Sequence, residues 1–129
     1  MARILLVDDE EDVLATLRVL IKSEGHKVIA IREGLEALEL IRSSEKFDLL
    51  VTDLRMAPVD GMELIEMART ERPEMGIVVI SAYLDDDTTR KVESLGCRLH
   101  IKKPFIIDEV VNAIHDELIR TGVGLALDD

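Results

Sequence analysis

Asp8 and Asp9 follow the apolar run ILLV, and Glu10, Glu11 and Asp12 come directly after them. Neighbouring carboxylates repel and raise one another's pKa. Such a run, where a buried segment surfaces, calls for a compensating cation. Three further apolar runs also end on a side chain that can do chemistry. Asp53 closes DLLVTDL, Ser81 closes GIVVISA, and Lys103-Pro104 closes RLHIKKP. Brought to one rim, these give three carboxylates, a hydroxyl and an ammonium. Carboxylate oxygens with room for water suit Mg²⁺, whereas zinc prefers His and Cys.

Only a repeated strand-then-helix unit can bring these run ends together. Apolar runs lie at residues 4–7, 28–31, 49–51, 77–80 and around 99–101. Between them, apolar residues recur at helical spacing. Val13, Leu14, Leu17, Leu20 and Ile21 share one face; so do Leu35, Leu38 and Ile41, and later Val110, Val111, Ile114 and Leu118. Gly25 and Gly96 stand where two of these helices should stop. Five strands alternating with five helices predict an α/β fold, a three-layer (βα)5 doubly wound parallel sheet. The unbroken runs ILLV and IVVI predict central strands. The alternating RLHIK predicts an edge. Function in such sheets gathers at the carboxyl ends of the strands.

The chain of 129 residues is the size of one domain. We assign residues 1–120 to it, and read 121–129 as a C-terminal tail or a linker cut short. Apolar runs are of strand length, too short to cross a membrane. No signal peptide precedes Arg3, and the single cysteine, Cys97, permits no internal disulfide, so a cytoplasmic location is expected. A net charge of −11 and 2% aromatic residues argue against direct nucleic-acid binding.

Simpler roles account for several polar residues. Glu10, Glu11 and Asp12 suit the positive end of a helix dipole. Asp85, Asp86 and Asp87 before TTRKV suit a helix cap. Cys97 reads as a small packing residue, and His26 and His115 as solvated or half-buried. Asp8, Asp9, Asp53, Ser81 and Lys103 differ from these because four strand ends carry them together.

The segments VDDEED, VTDLRM…VDG, VISA and KKPF, in this order, resemble the receiver domain of two-component response regulators. The resemblance covers about residues 2–120. It implies the strand order 2-1-3-4-5 and makes Asp53 the phosphoacceptor. The donor would be a phospho-histidine on a sensor histidine kinase or a histidine phosphotransfer protein. Mg²⁺, with Mn²⁺ as substitute, would be held by Asp9 and Asp53 directly, by Asp8 through water, and by the Arg55 backbone carbonyl. Lys103, the Ser81 hydroxyl and the Ala82 backbone N–H would receive the phosphoryl oxygens. Pro104 matches the family's cis peptide bond, and Gly61 a turn glycine opening the third helix.

In the family, the Ser81 position shifts toward the phosphoryl group and an aromatic ring on the fifth strand fills the space behind. The matching residue here is His100, a departure that points to a pH-sensitive variant of the switch. The implied output face is the fourth helix, fifth strand and fifth helix, read by a downstream effector domain or protein or by a phosphorylation-dependent homodimer. A second departure is Ala57 where the family has proline, with Pro58 one place later. Arg55 and Tyr83 stand where the family tunes loss of the phosphoryl group. The resemblance implies a self-assisted phosphoacceptor rather than an enzyme that turns over an external substrate.

Other readings fit less well. A phosphatase of the haloacid dehalogenase type wants a second aspartate where Glu10 stands. A flavin module wants a phosphate-cradling loop after the first strand, where five acids would repel it. No G-x-x-x-x-G-K-[ST] occurs. A receiver that signals by docking alone would not need the intact set of Asp8, Asp9, Asp53, Ser81 and Lys103.

Overall fold

The computed structural model describes residues 2–56 and 59–123. Ala57 and Pro58, and with them the loop departure, lie outside the described residues, as does the tail from 124 onward. The elements alternate without exception: β1 (Arg3–Val7), α1 (Glu11–Ser23), β2 (Lys27–Ile31), α2 (Gly34–Arg42), β3 (Leu49–Thr52), α3 (Gly61–Glu71), β4 (Gly76–Ser81), α4 (Asp86–Ser94), β5 (Leu99–Lys102) and α5 (Ile107–Arg120). The five strands form one parallel sheet in the order β2-β1-β3-β4-β5. The expected architecture and strand order are therefore observed. ILLV and IVVI lie in interior strands, and RLHIK supplies edge strand β5.

Strand residues alternate between two cores, because successive side chains point to opposite faces. Leu5, Val7, Leu50, Ile77 and Val79 pack with α2, α3 and α4 through Ala37, Ile41, Leu64, Ile65, Ala68 and Val92. Ile4, Leu6, Leu49, Val51, Val78 and Ile80 pack with α1 and α5 through Leu14, Leu17, Ile21, Val110, Ile114 and Leu118. Burial on both faces is why these strands read as unbroken apolar runs.

The helices follow the expected faces with one exception. Leu35 is exposed, and the buried face of α2 runs through Gly34, Ala37 and Ile41 instead. A Cβ on Gly34 would lie 2.0 Å from the Val59 carbonyl oxygen, so the small residues let α2 approach the β3–α3 loop and turn Leu35 outward. Gly25 and Gly96 follow α1 and α4 at φ of +91° and +82°, left-handed conformations that end these helices as the sequence predicts. Asp85 caps α4 by accepting from the Thr88 N–H at 2.8 Å. Cys97 is buried in the core, and burial pushes its thiol pKa up.

Two features were not legible in the sequence. Glu117 on α5 is fully buried and accepts from the Ile77 N–H of β4 at 3.1 Å while pairing with Arg120. Gly76 leaves the space; a Cβ there would sit 2.8 Å from Glu117 Cγ. The second is the light anchoring of α4, whose one buried residue is Val92. Little apolar area holds this helix to the sheet.

Candidate functional site

The rim at the carboxyl ends of β1, β3 and β5 brings Asp8, Asp53 and Lys103 together. Asp8 follows Val7, Asp53 follows Thr52, and Lys103 follows Lys102, each one residue past a strand end. Backbone bonds fix this alignment. The Asp8 N–H donates to the Ile31 carbonyl, the Asp53 N–H to Val7, and the Lys103 N–H to Ser81. The parallel ladder is thus extended to the functional residues themselves. The Lys103–Pro104 peptide is cis, as the resemblance implied.

Lys103 Nζ lies 2.9 Å from Asp8 Oδ2 and 2.9 Å from Asp53 Oδ2. It also reaches Glu10 Oε1 at 2.7 Å. Burial alone would lower the Lys103 pKa, but the hydrogen bonds it donates to Asp8, Glu10 and Asp53 raise it well above the ordinary lysine range. The ammonium therefore stays charged. Asp8 responds the other way: burial pushes its carboxyl up, and Lys103 and the Glu10 N–H offset this only in part.

Asp53 divides its two oxygens. Oδ1 accepts from the Leu54 N–H at 2.6 Å and, at 3.4 Å, from the Arg55 N–H; Oδ2 accepts from Lys103. Gly61 makes room for this turn. A Cβ there would lie 1.8 Å from the Asp53 carbonyl oxygen, so only glycine lets α3 start against that backbone. Asp60 then caps α3 through the Glu63 N–H.

Ser81 is buried at the end of β4, and its Oγ accepts from the Tyr83 N–H at 3.0 Å. Ala82 beside it is exposed. Asp9 is also exposed, and its carbonyl accepts from Arg32 at 3.5 Å. The Arg55 side chain extends over the Tyr83 ring. His100 is half-buried on β5 and its Nε2 lies 3.2 Å from Glu93 Oε2 on α4. The ring thus contacts α4.

Carboxylate oxygens of Asp8, Glu10 and Asp53 lie within 4.8 Å of one another. The donors are oxygen alone, the chemistry that suits Mg²⁺. Glu10 is the member that sequence reasoning assigned to the helix dipole instead. It does precede α1, but its side chain makes no capping bond there. Nothing in the sequence marks it, since its partner lies 93 positions away on another strand end.

Comparison with known proteins agrees with this geometry. Residues 4–115 match the family described as "Response regulator receiver domain". Sporulation initiation phosphotransferase F of Bacillus subtilis is 29% identical over 87% of this chain and 90% of its own length. Transcriptional regulatory protein ZraR of Klebsiella oxytoca is 31% identical over 92% of this chain, which spans only 26% of that longer protein. The crystal structure of a response regulator receiver domain protein (CheY-like) from Methanospirillum hungatei superposes with a TM-score of 0.88 at 26% identity, covering 94% of this chain and 96% of that one.

Proposed function

Because the chain belongs to the response regulator receiver domain family, a family of phosphorylation-dependent signalling domains, we propose that Asp53 is its phosphoacceptor. The observation that carries this reading is the division of the Asp53 carboxylate. Backbone N–H groups hold Oδ1, and Oδ2 lies on the ammonium of Lys103. The carboxylate is thereby oriented with one oxygen beside the half-buried positive charge of Lys103.

The reaction transfers a phosphoryl group from a phospho-histidine nitrogen to an Asp53 oxygen. The N–P bond breaks, the O–P bond forms, and an acyl phosphate results. Charge spreads over the equatorial oxygens during transfer, so positioning and neutralisation do most of the work. Lys103 supplies one fixed cation. Asp8, Asp9, Asp53 and the Arg55 carbonyl would hold Mg²⁺, or Mn²⁺ in its place, which when bound neutralises phosphoryl oxygens. The Ser81 hydroxyl and the Ala82 N–H would donate to the remaining oxygens. To do so, Ser81 would turn its hydroxyl proton toward the phosphoryl group, while its Oγ can still accept from the Tyr83 N–H.

That turn links the site to the output face. α4 begins at Asp86, a few residues beyond Ser81, and just one of its residues lies in the core. A modest differential interaction at Ser81 can therefore shift its position. The readout surface would be α4, β5 and α5, with His100 and its partner Glu93 at the α4–β5 seam. Partners on this reading are a sensor histidine kinase or phosphotransfer protein upstream and an effector domain or protein, or a second copy, downstream. We place the receiver domain over residues 1–120, working without turnover of an external substrate. Among the described residues, no helix is long and apolar enough to cross a membrane.

The test is intact-mass measurement after incubation with phosphoramidate and Mg²⁺. One added phosphoryl group, absent without Mg²⁺ and absent in Asp53→Asn, is expected. Mg²⁺-independent labelling would overturn the proposed metal role.

A further inference from the structure

A lysine ammonium carries three protons, and Lys103 has three carboxylate partners: Glu10 at 2.7 Å, Asp8 at 2.9 Å and Asp53 at 2.9 Å. Its donor capacity is full. A phosphoryl oxygen that bonds Lys103 must therefore displace one of the three.

The partners differ in what they lose. The Asp8 and Asp53 side chains are 2% and 5% exposed. Removing the ammonium from either leaves a buried charge short of a partner, which is strongly unfavourable. The Glu10 side chain is 59% exposed, so water takes the place of Lys103 at little cost. The Glu10 side chain also does not cap α1, so leaving Lys103 breaks no capping bond.

We propose that Glu10 is a positioning residue that occupies the third Lys103 proton in the resting state and surrenders it to the phosphoryl group. The proposal rests on Asp53 as the acceptor. Glu10 competes with the incoming phosphoryl oxygen for one donor. Asp8 and the phosphoryl oxygens on Asp53 would then keep Lys103 in place once Glu10 has left. The resting site is thus held shut by its most easily hydrated member, and the threshold for phosphorylation is set in part outside the buried set.

The variants Glu10→Ala and Glu10→Asp separate this role from a general charge effect. Glu10→Asp keeps the negative charge but is one methylene shorter, which withdraws the carboxylate from Lys103. Neither variant removes a capping bond, so both should fold. The measurement is affinity for beryllofluoride, a phosphoryl mimic that binds a carboxylate, at saturating Mg²⁺. It is paired with ¹⁵N NMR of the Lys103 ammonium in the metal-free protein. Both variants should bind beryllofluoride on the order of threefold more tightly than wild type, and both should shift the Lys103 resonance. Wild-type affinity in both variants, or tightening in Glu10→Ala alone, overturns the proposal. So does weakened binding, which would make Glu10 a ligand of the bound state. Beryllofluoride binding that survives in Asp53→Asn overturns instead the acceptor assignment beneath it.

Discussion

The guanidinium carbon of Arg55 lies 4.0 Å from the centroid of the Tyr83 ring. Arg55 comes two residues after Asp53 and Tyr83 two residues after Ser81, so the stack joins the β3–α3 and β4–α4 loops at the rim of the site. Arginine on an aromatic face contributes about 0.5–1 kcal/mol at exposed positions. Held together, the two side chains would screen an acyl phosphate on Asp53 from water. Arg55→Ala and Tyr83→Ala should each shorten the phosphoryl lifetime by about two- to fivefold. Arg55→Lys, which keeps charge but stacks poorly, should lie between them and wild type. Decay of the phosphorylated mass peak after removal of the donor measures this; an unchanged decay in both alanine variants would leave the stack without a role.

Asp8 carries a stability cost. Burial pushes its pKa above the ordinary aspartate value. A carboxyl whose folded pKa is raised contributes stability below the unfolded pKa and loses it as pH rises through the folded value. At neutral pH the charged, buried Asp8 therefore weakens the fold. Asp8→Asn should stabilise the metal-free protein by about 1 kcal/mol at pH 7. The advantage should vanish below the unfolded pKa. Mg²⁺ should raise the Tm of wild type but not of this variant. Denaturant unfolding across pH, with and without Mg²⁺, tests both halves.

Glu117 has the opposite sign. Burial pushes its carboxyl up, but Arg120 and the Ile77 N–H more than offset this, and its pKa lies below the ordinary glutamate value. A depressed pKa contributes stability above the unfolded value that is lost as pH falls through the folded one. Glu117→Gln should cost about 1–2 kcal/mol at neutral pH and flatten the acid limb of the stability profile. Equal acid sensitivity in wild type and variant would remove Glu117 from the account.

His100 and Glu93 tie β5 to α4 at 3.2 Å. This contact favours the resting position of α4. His100→Tyr should strengthen the coupling between beryllofluoride binding and α4 amide shifts, since tyrosine buries more apolar area. Amide NMR of α4 and β5 with and without beryllofluoride decides; identical responses in both proteins would mean that His100 does not limit the switch.

These residues also mark how far the sequence could be read. Strands buried on both faces leave unbroken apolar runs, so β1 and β4 were legible as central strands, and the residues closing β1, β3, β4 and β5 gave Asp8, Asp53, Ser81 and Lys103. Leu35 was misread because helical periodicity counts apolar residues, whereas close packing at Gly34 depends on a side chain that is absent. Glu117 was missed because a buried carboxylate looks like a surface one until its partners, the Ile77 N–H and Arg120, are seen. Glu10 was assigned to the helix dipole because adjacency along the chain outweighed a contact with Lys103, 93 positions away. The sequence pattern identified single positions well. Which partner each chose was settled by packing.

The central claim is that one carboxylate, Asp53, takes the phosphoryl group. Borohydride reduces an acyl phosphate to the alcohol and so converts the modified aspartate to homoserine. After phosphorylation with phosphoramidate and Mg²⁺, followed by borohydride reduction and peptide mass mapping, homoserine should be found at position 53. Homoserine at position 8 or 9, or no homoserine despite an added phosphoryl mass, would contradict the account.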